Sequence, residues 1–118
     1  MEVQIFGLKN DNDTRRADRF FAERRIKVHF VDLKQRPIAK GELTRFVQKL
    51  GMPALINTRA KRFVDGGMAH LRLTEEQWGD KLMADPSLLR LPLVRYGQKV
   101  TAGNGESDWK QWVEESRT

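Results

Sequence analysis

Leu91-Pro92-Leu93-Val94-Arg95-Tyr96-Gly97-Gln98-Lys99-Val100-Thr101-Ala102 is the stretch on which the reading of this chain turns. Leu93–Tyr96 and Lys99–Ala102 are two short runs of strand formers joined around Gly97-Gln98, the pattern of an antiparallel hairpin. Pro92 opens the first run. Beyond the hairpin, Ser107 is expected to cap a final helix whose Trp109, Trp112 and Val113 face inward. The C-terminal end therefore reads β-β-α.

The N-terminal end complements it. Val3, Ile5 and Phe6 predict a largely buried strand over Glu2–Phe6, stopped by Gly7. Lys9–Asp13 is polar and reads as a loop, with Asp13 or Thr14 as the helix cap. Ala17, Phe20 and Phe21 then recur at the spacing of an amphipathic helix ending near Arg24. Val28, Phe30 and Leu33, with Val31 beside them, predict a second strand. A β-α-β unit within about 33 residues implies parallel strands joined by a right-handed crossover.

Between the two ends lies a helical block. Gly41–Leu50 carries Leu43, Phe46, Val47 and Leu50 at helical spacing and is stopped by Gly51 and Pro53. Ala54–Ile56 is apolar but of no decided type. Thr74-Glu75-Glu76-Gln77 is a capping box ahead of Trp78, Leu82 and Met83. Asp85-Pro86 opens one further turn.

Composition bounds what such a chain can do. With 118 residues, 39% apolar and 32% charged, it fits one domain able to bury a core without staples. It contains no cysteine, which excludes a disulfide framework, a thiolate zinc site, an iron–sulfur cluster and a cysteine nucleophile within the chain. No apolar run reaches the roughly 20 residues of a membrane span, and no signal-peptide pattern opens the sequence, so a cytoplasmic location is expected. The net charge is +6. Residues 1–62 hold 15 basic and 7 acidic side chains, against 7 and 9 in residues 63–118. Arg15, Arg16, Arg19 and Arg25 mark the first helix either as a surface for an acidic partner or as a solvated face with Asp18 and Glu23 interspersed.

The order β-α-β, helical block, proline-led β-β-α resembles a thioredoxin fold, an α/β (α+β) architecture with a mixed four-stranded sheet. Halves over about residues 1–34 and 91–118 would enclose a helical insertion over about 35–90. Ile5-Phe6-Gly7-Leu8-Lys9-Asn10 followed by Asp13-Thr14-Arg15-Arg16-Ala17, then Val31-Asp32-Leu33-Lys34, Ala54-Leu55-Ile56-Asn57, Leu91-Pro92-Leu93-Val94 and Gly97-Gln98-Lys99-Val100 together resemble the arsenate reductase-like family. That family also contains the Spx regulators of RNA polymerase. The resemblance implies a cis peptide bond at Leu91-Pro92, beside the start of the first helix.

It also implies a catalytic cysteine four residues after Gly7, and that position is Asp11. Reduction of arsenate or a disulfide needs a soft sulfur nucleophile able to form a sulfur–sulfur bond, and a carboxylate has none. Asp11 at a helix start is well placed to cap it. Arg15 matches the family's helix arginine. The arginine implied before the hairpin proline is Leu91, the one after the hairpin is Asn104, and the middle segment carries Asn57. Arg59, Arg90 and Arg95 are the nearest substitutes.

Asp11, Arg15 and Pro92 thus mark a vestigial site, and the resemblance implies a non-catalytic protein-binding or regulatory module with a protein partner, acidic or transcription-related. The alternative is a glutathione- or thioredoxin-linked oxidoreductase whose nucleophile position is Asp11 in this chain. Neither cofactor nor metal is expected, since His29 and His70 are isolated. Asp11 and Asp13 suit a capped loop better than an acid–base pair. Gly66-Gly67 reads as a turn, Ser87 and Ser116 as helix-end residues, and Trp109 and Trp112 as core. With one tyrosine and no interleaved basic–aromatic stripe, nucleic acid is an unlikely partner.

Overall fold

The computed structural model describes residues 1–117. In chain order the elements are β1 (Glu2–Gly7), α1 (Asn12–Glu23), β2 (Lys27–Asp32), α2 (Lys40–Leu50), α3 (Lys61–Asp65), α4 (Glu75–Ala84), β3 (Leu93–Tyr96), β4 (Lys99–Ala102) and α5 (Glu106–Ser116). Short 3-10 turns at Met52–Leu55, Met68–His70 and Pro86–Leu88 link the middle helices. The four strands form one mixed sheet in the order β2-β1-β3-β4. β1 runs parallel to β2, from Glu2 opposite Lys27 to Gly7 opposite Asp32. It runs antiparallel to β3, with Phe6 opposite Leu93 and Gln4 opposite Arg95.

Alternation along the strands divides the apolar side chains between two cores. Val3, Ile5 and Val94 join Ala17, Phe20 and Phe21 of α1 and Trp109, Trp112 and Val113 of α5 on one face. Phe6 and Leu93 point the other way, into a core built with Leu43 and Phe46 of α2, Leu82 of α4, and Leu55, Leu88 and Leu89 from the turns between. Each Val, Leu, Ile or Phe among them, once fully buried, contributes roughly 1.5–3 kcal/mol. Phe46 meets Phe6 edge to face, centroids 5.8 Å apart, which fixes α2 over β1.

The expected elements are present, with four differences. Leu33 is buried but lies just past β2. Ala54–Ile56 resolves into the end of a 3-10 turn, and Ile56 forms an isolated bridge with Leu89. α3 has no counterpart in the sequence reading, since Phe63 is its only buried residue. Ser107 does not cap α5. The cap position is Gly105, and the Asn104 side-chain oxygen accepts the Glu106 N–H at 3.1 Å. A Cβ at Gly105 would stand 2.8 Å from the Thr101 Cβ, so packing against β4 sets where this helix begins.

α2 is anchored at its start by Glu42. Its carboxylate accepts the Ala39 N–H at 2.8 Å and both terminal nitrogens of Arg36, at 2.9 and 3.0 Å. Ala39 has no side-chain acceptor to return the bond, so the reach-back of Glu42 is half of a capping box. The Arg36 guanidinium holds the Glu42 carboxyl below the usual carboxylate range, and the Ala39 N–H adds to this against partial burial. A lowered native pKa means that the contribution is complete above the unfolded pKa and lost as pH falls through the native one. Glu42→Gln is expected to flatten the loss of stability between about pH 5 and 3, measured by urea unfolding across that range.

Trp109, fully buried, donates its indole N–H to the Thr101 hydroxyl at 2.9 Å. Thr101→Val keeps the shape and removes the acceptor. A loss of about 1–3 kcal/mol with an unchanged denaturant slope is expected from equilibrium unfolding.

Candidate functional site

The register that sets Phe6 opposite Leu93 puts Gly7 and Pro92 at the same end of the sheet. The turn after β1, the start of α1 and the Leu91-Pro92 bond are therefore neighbours in the fold. That bond is cis, as the resemblance implied. Pro92 is buried, and its carbonyl and that of Arg90 both accept the Gly103 N–H.

Asp11 caps α1 in place of Asp13 or Thr14. Its backbone is extended, and its Oδ2 accepts both the Thr14 N–H and the Thr14 hydroxyl, each at 2.8 Å. Asp11, Asp13 and Thr14 all suited a cap, and packing chose among them. Thr14 is only 1% exposed and lies against Gly7, where an added Cβ would come within 2.5 Å of its side chain. Thr14 is thus held beneath the strand end, and Asp11 bridges back to it. Asp13 falls in the first turn, where its charge complements the helix dipole. The carboxylate of Asp11 is consumed by the fold, both as acceptor and as countercharge to the helix N-terminus.

Arg15 is exposed and hydrogen-bonds Asn12 one turn earlier. It lines a small depression of about 170 Å³ with Lys9, Thr14, Asp18 and Phe30, which neither Asp11 nor Pro92 lines. The other positions implied by the resemblance have structural employment. Leu91 is 7% exposed and belongs to the Phe6–Leu93 core. Asn57 accepts the Arg59 N–H in a local turn, and Asn104 serves α5. Among the substitutes, Arg95 donates to the Gly97 carbonyl at the far end of β3, and Arg59 and Arg90 are exposed. Asp11 and Pro92 lie at the same end of the sheet, and the depression lined by Arg15 includes neither.

The arginines of the first helix are divided. Arg16 and Arg19 line a groove of about 390 Å³ between α1 and α5, with Arg24 and Lys110 beside them and Glu23 and Glu106 as its carboxylates. Arg24 is folded back: it donates to the Phe20 carbonyl at 2.9 Å and stacks 3.6 Å above the Phe20 ring. Arg25 lies past the helix end with φ of 58°, in the turn to β2. At 1.5 Å per residue it is about 15 Å along from Arg15. Arg16, Arg19 and Arg25 make no ion pair among the described residues.

Among the described residues no cluster of three or more His, Asp and Glu side chains could hold a metal ion, and no helix is long and apolar enough to cross a membrane. His29 reaches Glu2 at 3.0 Å on the sheet edge, and that contact with Lys27 beyond it holds the Glu2 carboxyl below its ordinary range. His70 closes a 3-10 turn.

A family model described as the ArsC family matches residues 6–112. No curated protein sequence matches. Among solved structures, an arsenate reductase from Vibrio cholerae is similar with a TM-score of 0.82 at 16% identity, over 94% of this chain and 97% of that one. An arsenate reductase (ArsC) related protein from Brucella melitensis is similar at 0.70 and 20%, over 96% and 95%. A protein named YFFB is similar at 0.84 and 19%, over 92% and 96%. At these identities the likeness is one of fold.

The capping role of Asp11 is directly measurable. Asp11→Ala is expected to cost about 1 kcal/mol in urea unfolding, and Asp11→Ser, which keeps an acceptor, to recover most of it.

Proposed function

We propose that this chain, which belongs to the ArsC family, is a cytoplasmic, non-catalytic member acting as a protein-binding or regulatory module. One observation carries the reading: the residue where the family resemblance puts a nucleophilic cysteine is Asp11, and its carboxylate is spent on Thr14. A thiolate at a helix start is activated by the local positive field and can go on to a disulfide or mixed-disulfide step. A carboxylate occupies the same field without that chemistry. It also opposes an oxyanion in the same place, by about 4 kcal/mol for unit charges 4 Å apart at an effective dielectric near 20. Leu91, Asn57 and Asn104 stand where the resemblance puts further anion ligands, which leaves Arg15 as the one matching cation against that repulsion.

A binding role follows from what the fold retains. The partner we assign is an acidic protein surface, and by analogy with the Spx regulators a transcription-related one. Its docking site is the exposed α1 face, with Arg16 and Arg19 at the centre and Arg15 and Arg25 at the flanks. Arg16 and Arg19 share a groove, project from a rigid helix and have no ion-pair partner to surrender among the described residues. Long-range attraction to such a face raises the association rate and weakens with salt.

Affinity capture from the native cell tests this with two variants beside the unaltered chain. Arg16→Glu with Arg19→Glu is expected to lose the specific partner, while Asp11→Cys keeps it and gains no glutathione- or thioredoxin-linked reductase activity. Capture unaffected by the double reversal overturns the docking face. A low-pKa thiol with reductase turnover in Asp11→Cys overturns the non-catalytic reading in favour of a thiol-dependent oxidoreductase.

A further inference from the structure

On the other face of the sheet, and at the opposite end from Pro92, a second cationic site is built from residues about 50 positions apart in the chain. Arg45 and Lys49 of α2 and Arg95 of β3 line one open cleft of about 410 Å³ with Gln48, Gly97 and Gln98. Among the described residues no carboxylate lines it. Arg45 and Arg95 also line the adjoining cleft against Phe6 and Phe46, whose one carboxylate, Glu42, is already bound by Arg36 and the Ala39 N–H. Lys99, the next cation on the hairpin, is paired with Glu115 on α5. Arg45, Lys49 and Arg95 make no ion pair among the described residues.

We infer that this cleft binds the phosphate group of a small phosphorylated metabolite. Three features of the geometry support the assignment. Phe46 packed edge-on against Phe6 fixes α2, so its neighbour Arg45 and, one turn on, Lys49 are carried on a rigid support beside the hairpin. Arg95 is oriented in advance, because its Nε–H donates to the Gly97 carbonyl at 2.8 Å and its two terminal nitrogens remain for a ligand. A guanidinium fork held in this way matches a phosphate dianion better than a freely rotating cation does. Gln48 and Gln98 bring neutral amide donors to the same rim.

The charge arrangement is unfavourable without an anion. Arg45 and Lys49 stand four apart on one helix, a like-charge spacing that costs a few tenths of a kcal/mol, and Arg95 adds a third charge opposite them. Lys49 gains some compensation from the α2 C-terminus, and Arg45 some from the Glu42 carboxylate one turn earlier, which is shared with Arg36, whereas Arg95 lies outside that helix-end field. A dianion relieves all three. The volume falls within the range of small-ligand sites, about 300–1,000 Å³, although the polar, open lining favours a charged group over an apolar body.

Titration of the isotope-labelled full chain with pyrophosphate, followed by amide and arginine Nε–H NMR signals, tests the assignment. Saturable shifts centred on Gly97, Gln98 and the Arg95 Nε–H are expected, absent from a sodium chloride titration at matched ionic strength. Arg45→Gln with Arg95→Gln is expected to weaken binding by about tenfold or more. Arg45→Gln alone, on an exposed helix position, is expected to weaken it in a chain whose spectrum otherwise remains that of the native fold. Arg16→Gln with Arg19→Gln is expected to leave it unchanged. The assignment is overturned if shifts spread over all the arginines, if sodium chloride reproduces them, or if the Arg45 and Arg95 variants bind as the unaltered chain does.

Discussion

β1 is hydrogen-bonded along both edges and packed on both faces, and the rest of the molecule is arranged around that double enclosure. Val3, Ile5 and Phe6 are no more than 1% exposed. A one-residue slip would exchange Ile5 and Phe6 between cores of different shape, one lined by Phe21 and Trp109, the other by Phe46 and Leu55. The same constraint delivers the strand end, Gly7, to a fixed place beside Pro92. It leaves room there for Thr14 only because position 7 carries no side chain. The start of α1 and its cap follow from that fit.

Seen from the helix terminus, Asp11 is a conservative electrostatic choice and a radical chemical one. The N-terminal field stabilises a negative group of either kind, so a carboxylate satisfies the backbone as well as a thiolate would. Nucleophilicity toward sulfur or arsenic is what disappears. The surrounding positions serve packing and turns: Leu91 the core, Asn57 and Asn104 local N–H groups. An anion-holding loop and a stable helix start can differ by few side chains, because both draw on the same unpaired backbone donors.

Element order was legible in the sequence because it depends on local signals. Thr74 with Gln77 forms the capping box that its spacing implied, and Gly97 with Gln98 turns the hairpin. Periodicity placed Phe20, Phe21, Phe46 and Leu82 in the core, where they lie. What stayed hidden was decided by contacts between distant segments. Gly105 starts α5 because Thr101 crowds that position, and no property of Ser107 could reveal it. α3 is five residues with one buried side chain, too short to show a period. In the candidate site, Asp11 was legible as a helix-start residue although Asp13 or Thr14 was expected as the cap, the cis bond at Pro92 came with the family resemblance, and the scatter of the arginines was not legible. Arg24 is withdrawn onto Phe20, and Arg95 of β3 joins Arg45 of α2 on one face of the sheet, a pairing that only the tertiary fold creates.

The strand order has a consequence for how other chains can approach. β2 and β4 form the two sheet margins. β2 carries Lys27 and His29 exposed along its length, and β4 is only four residues long. Charged or abbreviated margins are poor templates for an incoming strand. Backbone-mediated accretion, whether as an added strand in a complex or as the first layer of an aggregate, is thereby discouraged. Any approach by another chain then falls to side chains, where selectivity can be set by charge rather than by the indiscriminate hydrogen bonding of a bare peptide edge.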